Sequence, residues 1–600
     1  MPAFDDALRS LDDAFRAMRV ERRVPGMAWG VVRDGALVHA AGEGTLRDGE
    51  SRLPDERSVF RIASMTKSFT AATVLLLRDE GRLRLDDPAG THVPALAGWG
   101  SPTADAGPIT IRQLLTMSAG LPTDDPWGDR QQALPLDAFE ALLRAHPVVA
   151  WTPDTTFDYS NLGYAILGRV ITAVAGEEYG DVVRARLLDP MGLASTGFHE
   201  HEVPAEALAH GYAREGDSLI REGRDAYGAF ASMGGLSSTV GDLARWVAGF
   251  LDAVPARDDP EGGHPLPRAS RREMQQAHRV FGAELDAHAA HLAPAVLAGG
   301  YGYGLTAMSD AELGITINHG GGYPGFGSYM TWHPASGIGI VGLANLRYAS
   351  PRAVGDRQLA ALVAADGVVR RRVRPSTATE AFRPVVMSLL HGWDDAVADG
   401  AFAMNVDLDQ PRAARRAAMD AAVEAIGPLE PDPDRPDESS SPAHAAWWLR
   451  GPGGWLRAEV LTTPEPRPTI QALGLRAVRT PSPVLQAAAD ALADATGEDA
   501  PAWPDDLRAA DRTDTAEVRR SLRAAAARFG PLALGLPVEG DGATTATWEL
   551  WPADAADASA TTRRAGGTAQ ASLLVEVADD GSVLRAELLV AARAAPMEPW

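Results

Sequence analysis

The sequence contains no cysteine. That absence excludes disulfide bridges, thiol catalysis and thiolate metal sites, so a covalent enzyme would have to use a serine or threonine hydroxyl. Lysine is almost as scarce, because Lys67 is the only lysine among the 56 lysine and arginine residues. Arginine stays protonated at any workable pH, whereas a buried lysine can lose its proton. Lys67 is therefore the only side chain of its kind that could serve as a neutral amine in catalysis. The alternative is that Lys67 is a surface residue without a chemical role.

Long apolar runs are absent as well. Residues 1–23 carry charges throughout and lack an apolar run of signal-peptide length, and no later run reaches the roughly 18 residues of a membrane helix. We therefore expect a cytoplasmic protein. The formal net charge of −24 opposes binding to phosphate backbones and anionic lipids. Nucleic acid and membrane are accordingly not expected as partners.

The length of 600 residues exceeds what one hydrophobic core usually serves, so several domains are predicted. Residues 1–20 have apolar groups at helical spacing, and two short apolar runs joined by Arg33-Asp34-Gly35 predict a hairpin. The stretch from about 85 to 300 is predicted to be mostly helical. Three strands and a helix then follow, at 314–318, 328–333, 337–344 and 353–364.

Strands from both ends with helices between them predict an α+β fold for residues 1–366, in which an antiparallel sheet is flanked by helices and accompanied by a helical lobe. Residues 367–380 are charged, contain proline and lack periodicity, which predicts a linker.

The remainder of the chain has an internal repeat. A series of short motifs recurs in the same order about one hundred residues later. The first copy contains Pro384, Arg415, Gly427 and Trp447, and the second contains Pro483, Arg519, Gly530 and Trp548. We expect two related α+β modules, at 381–480 and 481–600, although chance similarity in an alanine-rich sequence is the alternative.

The first chemical motif is Ser64-Met65-Thr66-Lys67, at the predicted start of a helix. Three positions on a helix place a hydroxyl and an amine on one face, within reach of each other. A neutral Lys67 could then accept the Ser64 proton.

Two further motifs carry polar groups that suit a binding cleft. Tyr159-Ser160-Asn161 supplies a phenol and a carboxamide just before a predicted helix, where a buried tyrosine beside a helix cap is the alternative. His319-Gly320-Gly321-Gly322 follows a predicted strand, and its glycines would let a substrate backbone approach the strand edge. A glycine-rich hairpin turn with a structural histidine is the commoner explanation of that pattern.

In this order, the three motifs resemble the S-x-x-K, Y-x-N and K/H-x-G elements of the serine β-lactamase and penicillin-binding-protein superfamily, which includes class C β-lactamases, DD-peptidases, D-aminopeptidases and family VIII esterases. The resemblance covers about residues 5–365 and implies a β-lactamase/transpeptidase-like domain. Secondary similarities lie at 60–63, 109–115, 118–122, 189–193 and 234–239.

The resemblance implies a role for each motif residue. Ser64 would be the nucleophile, Lys67 its general base and Tyr159 the proton relay to or from the leaving atom. Asn161, His319 and Gly321 would bind substrate, and the backbone N–H groups of Ser64 and Gly322 would form the oxyanion hole. Either a neutral Lys67 or a tyrosinate at Tyr159 could be the working base.

One departure from the β-lactamase pattern bears on substrate. His319 stands where those enzymes carry lysine, and histidine is largely neutral at pH 7, which weakens the case for substrates with a free carboxylate. We therefore expect a hydrolase of carboxylic esters or small amides, of the esterase or D-aminopeptidase type. No cofactor or metal is expected, since His199-Glu200-His201-Glu202 is better explained as an exposed loop. The alternatives are a non-catalytic binding or regulatory protein on this scaffold, and a true β-lactamase or DD-peptidase.

Overall fold

The chain divides into two compact units, Met1–Leu285 with Val296–Asp366, and Asp286–Ala295 with Gly367–Trp600. A computed structural model describes residues 2–100, 102–285, 296–310, 313–366, 373–495, 507–510, 515–529, 532–552, 571–578 and 582–590. Within these residues no helix is long and apolar enough to span a membrane.

The helices of the first unit begin and end as follows: α1 Pro2–Glu21, α2 Thr66–Asp79, α3 Ala89–His92, α4 Ile111–Leu115, α5 Asp125–Gly128, α6 Leu136–Arg144, α7 Asn161–Ala175, α8 Tyr179–Val183, α9 Ala231–Gly234, α10 Val240–Asp252, α11 Arg268–Met274 and α12 Arg352–Asp366. Its strands are β1 Gly26–Arg33, β2 Ala36–Gly44, β3 Phe60–Arg61, β4 Tyr212–Glu215, β5 Ser218–Arg221, β6 Ser237–Ser238, β7 Arg279–Leu285, β8 Val296–Tyr301, β9 Thr306–Asp310, β10 Gly314–Tyr323, β11 Phe326–His333 and β12 Ile338–Ala344.

An eight-stranded antiparallel sheet organises this unit, in the order β2-β1-β12-β11-β10-β9-β8-β7. The predicted hairpin forms β1 and β2, and Gly35 in its turn has φ +85, a conformation that glycine adopts without strain. β1 pairs with β12, so the two ends of the unit meet within one sheet, which confirms the predicted α+β fold.

One part of the sequence prediction was incomplete. The stretch predicted as mostly helical, about 85–300, also contains β4 to β8, and the sheet gains β7, β8 and β9 ahead of the three predicted strands. These extra strands are rich in glycine and alanine, as in Val296-Leu297-Ala298-Gly299-Gly300-Tyr301, so side-chain periodicity is weak there. Pairing with neighbouring strands decides the structure of this segment.

The sheet buries apolar side chains on both faces. On one face, α1 directs Leu11 and Phe15 inward, and the Phe15 ring stacks on Trp29 of β1 with centroids 4.9 Å apart. On the other face, the buried Trp246 and Val247 of α10 belong to the same apolar core as the helical lobe. This shared core supports α2, α7 and β10, the elements on which the predicted site residues lie.

The second unit contains two helix-then-strand modules. Its described helices are α13 Thr377–Glu380, α14 Phe382–His391, α15 Asp395–Ala401, α16 Met404–Asp409, α17 Arg412–Ile426, α18 Pro483–Asp494 and α19 Thr515–Phe529. Its strands are β13 Glu430–Pro431, β14 His444–Gly451, β15 Gly454–Thr462, β16 Ile470–Arg479, β17 Leu532–Glu539, β18 Thr545–Pro552, β19 Ala571–Val577 and β20 Val583–Val590. Each module ends in a four-stranded sheet, β13-β14-β15-β16 or β17-β18-β19-β20.

Helix α13 occupies the last residues of the segment predicted as a linker. The Ser376 hydroxyl accepts a hydrogen bond from the Thr379 N–H and so caps this helix. Residues 367–372 of the predicted linker lie outside the described residues, and the division at 366, 380 and 480 stays a prediction.

Candidate active site

Ser64 lies in a short 3-10 turn, Ala63–Met65, that leads directly into α2. Ala63 has φ +48, an uncommon conformation for a residue with a Cβ, which places a strained peptide immediately before the predicted nucleophile. The Ser68 hydroxyl donates to the Met65 carbonyl, and the Trp246 indole donates to Ser68. These bonds hold the first turn of α2 in place beneath Ser64.

Lys67 is completely buried and its amine has three oxygen partners. The Nζ atom lies 3.0 Å from Ser64 Oγ, 2.7 Å from Asn161 Oδ1 and 2.8 Å from the carbonyl oxygen of Met233 in α9. The two carbonyl oxygens can only accept hydrogen bonds. Only the hydrogen bond between Lys67 and Ser64 can therefore change direction with protonation. The ammonium donates to Ser64 Oγ, whereas the neutral amine accepts from the hydroxyl.

Tyr159 and Asn161 are positioned by the start of α7. The Ser160 hydroxyl caps this helix by accepting from Gly163 N–H at 3.1 Å. The Asp124 carboxylate accepts a second bond there, from the Asn161 N–H at 2.6 Å. The Tyr159 ring centroid lies 4.8 Å from the Lys67 amine, and its phenol is close enough to Ser64 for the hydroxyl to influence the pKa of the phenol.

Gly321 is required by the close approach of β10 to the Ser64 segment. A Cβ at Gly321 would lie 2.3 Å from the Ile62 carbonyl oxygen, which is shorter than such contacts allow, and a tight 3.1 Å from Ala63 Cβ. The Ser328 hydroxyl of β11 donates to the same Ile62 carbonyl at 2.8 Å. The glycines of this motif therefore bring β10 against the nucleophile segment.

Gly322 lies on an open edge of β10. β9 pairs with β10 only as far as Asn318, so no described strand covers the edge from 319 to 323. On the other side, β10 and β11 are joined by a two-residue turn between Tyr323 and Phe326. In such a hairpin the backbone of Tyr323, and of every second residue before it, including Gly321, is hydrogen-bonded to β11. The Gly322 N–H consequently points toward the open edge.

His319 is buried, 4% exposed, and both of its ring nitrogens have partners. Nδ1 lies 2.6 Å from the Gly320 carbonyl, which can only accept, so Nδ1 carries the proton and Nε2 accepts from the Tyr301 hydroxyl at 3.0 Å. Burial lowers the pKa of His319 to about 3, and the charge of Lys67 adds to this effect. The imidazole is therefore neutral at physiological pH.

The structure adds acidic residues that sequence reasoning missed. Asp125 Oδ1 accepts from Asn161 Nδ2 at 2.8 Å, and Asp129 Oδ2 accepts from the Tyr348 hydroxyl at 2.8 Å. With Asp124, they form a carboxylate cluster in Asp124-Asp125-Pro126-Trp127-Gly128-Asp129. Three acidic residues within six positions can be recognised in the sequence. Their proximity to Lys67, which comes much earlier in the chain, is a result of folding.

Burial and charge set the protonation of the two candidate bases. Burial lowers the pKa of Lys67 to about 8, while nearby carboxylates, Asp125 foremost, oppose the shift. Burial raises the pKa of Tyr159 well above its usual value, and the Asp125 carboxylate raises it further. A neutral lysine is thus far more accessible near pH 7 than a tyrosinate.

Comparison with known proteins identifies relatives of the first unit. A family model described as Beta-lactamase matches residues 11–365. Penicillin-binding protein 4 of Amycolatopsis lactamdurans is 31% identical over 346 residues, covering 56% of this chain and 84% of that protein. The D-alanyl-D-alanine-carboxypeptidase/endopeptidase AmpH of Escherichia coli strain K12 is 28% identical over 326 residues, covering 52% and 77% respectively.

Among solved structures, the octameric penicillin-binding protein homologue from Pyrococcus abyssi aligns with a TM-score of 0.49 and 20% identity, covering 78% of this chain and 99% of that chain. The family match covers more than half of the chain, and it confirms the resemblance carried by the three motifs. The chain belongs to the Beta-lactamase family, within the serine β-lactamase and penicillin-binding-protein superfamily of hydrolases.

Proposed function

We propose that this protein hydrolyses carboxylic esters or small amides through an acyl-enzyme at Ser64, in the manner of an esterase or a D-aminopeptidase-type amidase. The observation that carries the proposal is the buried Lys67 amine, 3.0 Å from Ser64 Oγ and fixed by two carbonyl oxygens. With a pKa of about 8, roughly one lysine in ten is neutral at pH 7. That fraction supplies a base without a cofactor.

In the acylation step, neutral Lys67 accepts the Ser64 proton as Oγ attacks the acyl carbon. The carbonyl oxygen becomes an oxyanion, which the N–H groups of Ser64 and Gly322 stabilise. When the intermediate collapses, the bond to the leaving group breaks. Tyr159 gives its phenolic proton to the leaving atom and regains one from the Lys67 ammonium. Water then attacks the acyl carbon while Lys67 takes its proton. When the bond between the acyl carbon and Oγ breaks, the Lys67 ammonium returns that proton to Ser64 Oγ, which releases the carboxylic acid and restores the neutral amine.

The preference for neutral or amine-bearing substrates is supported by the charges around the site. His319 is neutral where a cation would be needed to bind a free carboxylate. The carboxylates of Asp125 and Asp129 are close enough to oppose the lowering of the Lys67 pKa, so they would repel a substrate carboxylate. These charges disfavour the alternative of a β-lactamase or DD-peptidase.

The non-catalytic alternative is a binding protein that retains the scaffold. Burying the only lysine of the chain against Ser64 destabilises the fold. A binding protein without turnover has no function that requires this arrangement. The absence of Ser64 acylation by any reactive ester or fluorophosphonate would favour that alternative.

Substrate preference is tested with a matched pair of esters that differ only in one carboxylate, together with nitrocefin. We expect the wild-type protein to have the higher kcat/KM for the neutral ester. His319→Lys should shift the ratio toward the carboxylate ester by about tenfold, equivalent to ~1.4 kcal/mol, because it places a cation where the neutral imidazole lies. His319→Gln, which adds no charge, is the control. A wild-type preference for the carboxylate ester would contradict the proposed substrate class.

The pH dependence tests the role of Lys67. Because the neutral amine is the active form, kcat/KM for p-nitrophenyl butyrate should rise with pH through a midpoint near 8. Asp125→Asn removes the carboxylate that most strongly favours the ammonium, so the midpoint should move to lower pH. Asp137→Asn, at an exposed carboxylate of α6, is the control and should leave it unchanged. A midpoint that stays fixed or rises in Asp125→Asn would contradict the assignment of the base.

A further inference from the structure

The loop after β12 holds Tyr348 in an uncommon backbone conformation. Its φ of +54 lies in the left-handed region, which costs free energy for a residue with a Cβ. The Tyr348 N–H donates to the Phe326 carbonyl at 3.2 Å, and its own carbonyl accepts from Ser350 N–H at 2.8 Å. Bonds on both sides of the residue thus maintain the conformation.

This backbone places the Tyr348 ring against Gly322. A Cβ at Gly322 would lie 2.6 Å from Tyr348 Cδ1 and 3.2 Å from Cε1, so the ring occupies the space beside the peptide whose N–H is the proposed oxyanion donor. Tyr348 is nevertheless 48% exposed to solvent. The ring therefore covers Gly322 and also presents a surface to the outside.

The Tyr348 hydroxyl fixes the ring by donating to Asp129 Oδ2 at 2.8 Å. Asp129 is buried, 6% exposed, and its N–H donates to the Asp125 carbonyl at 3.1 Å. The Asp125 side chain in turn holds Asn161, which contacts Lys67. Tyr348 is thus tied to the helical lobe by a series of polar contacts that reaches the candidate base.

Tyr159 and Tyr348 mark opposite ends of the cleft along β10. The Tyr159 ring centroid is 6.4 Å from that of His319, whereas Tyr348 contacts Gly322. Three residues of extended strand separate these positions, or roughly 10 Å. Because Tyr159 is the proposed proton donor to the leaving atom, the leaving group lies at the His319 end. The acyl group then extends toward Gly322 and Tyr348.

We propose that Tyr348, anchored by Asp129, closes the acyl end of the cleft and restricts the protein to substrates with short acyl groups. This inference rests on the proposed acyl transfer at Ser64. A long acyl chain that extends past Gly322 would have to displace the ring and break its hydrogen bond to Asp129, whereas a short one would end before the ring.

The test uses two series of p-nitrophenyl and alkyl esters with the full-length protein. In the first, the acyl chain varies from acetate to octanoate with p-nitrophenol as the leaving group; in the second, the acyl group is acetate and the alcohol varies in length. Tyr348→Gly removes the ring and suits the positive φ, so it should fold. We expect it to raise the octanoate-to-acetate ratio of kcat/KM by at least about tenfold. Tyr348→Phe, which keeps the ring but loses the bond to Asp129, should give a smaller increase.

Phe281→Ala is the matched control at the other end of the cleft. Phe281 is 42% exposed, and its ring centroid lies 5.1 Å from that of Phe157, which itself neighbours Tyr301. This variant should leave the acyl-chain ratio unchanged. An unchanged acyl-chain ratio in Tyr348→Gly, or a change confined to the alcohol series, would overturn the inference while acylation of Ser64 by a small fluorophosphonate continued. Loss of that acylation in the wild-type protein would overturn the proposed function as well.

Discussion

Ser64→Ala is expected to reduce hydrolysis of p-nitrophenyl butyrate to below a few per cent of the wild-type rate. Among the residues that the structure describes, the substitution removes the one hydroxyl bonded to the Lys67 amine. No other residue can replace it, because the chain has no cysteine and its single lysine allows no second S-x-x-K motif. Initial rates at matched protein concentration, corrected for spontaneous ester hydrolysis, measure the effect.

The control for Ser64→Ala is the thermal unfolding transition, which should be close to that of the wild-type protein because only one oxygen atom is lost. A well-folded Ser64→Ala protein that retained more than a few per cent of the rate would remove Ser64 from its role as nucleophile.

Lys67→Arg is expected to be nearly as damaging as Lys67→Ala, with each lowering kcat/KM by about a hundredfold or more. Arginine keeps a positive charge but cannot accept a proton at workable pH, and alanine provides neither. The Lys67 site is completely buried, so the larger guanidinium must also displace its neighbours. Comparison of the two variants at pH 7 and pH 9 separates the effects of charge and of proton transfer.

If Lys67→Arg kept most of the wild-type rate while Lys67→Ala did not, Lys67 would act through its charge alone. Thermal unfolding of both variants identifies any loss of activity caused by misfolding.

Much of the fold and the site could be predicted from local sequence patterns. The hairpin of β1 and β2 follows from two apolar runs around Asp34-Gly35, and α1 follows from an apolar stripe at helical spacing. Ser64 and Lys67 could be paired because three positions at a helix start bring two side chains together. The fold brings Tyr159, Asn161 and His319 to the same place, as the order of the motifs suggested.

Other features depend on tertiary contacts and could not be predicted in this way. The strands β7 to β9 are stabilised by pairing with one another and with β10, and their own residues have little strand periodicity. Asp125 contacts Asn161 across 36 positions of sequence, so its influence on Lys67 is a product of folding. Likewise, the neutral state of His319 follows from its burial beside Tyr301, which a motif cannot reveal.

The central claim is that Ser64 forms a covalent acyl-enzyme with Lys67 as its base. It is tested most directly by mass spectrometry of the intact protein after reaction with a small fluorophosphonate, followed by peptide mapping. We predict one adduct per chain, located on Ser64, absent from Ser64→Ala and formed much more slowly in Lys67→Arg. An adduct on another residue, or the same extent of labelling in Ser64→Ala, would contradict the claim.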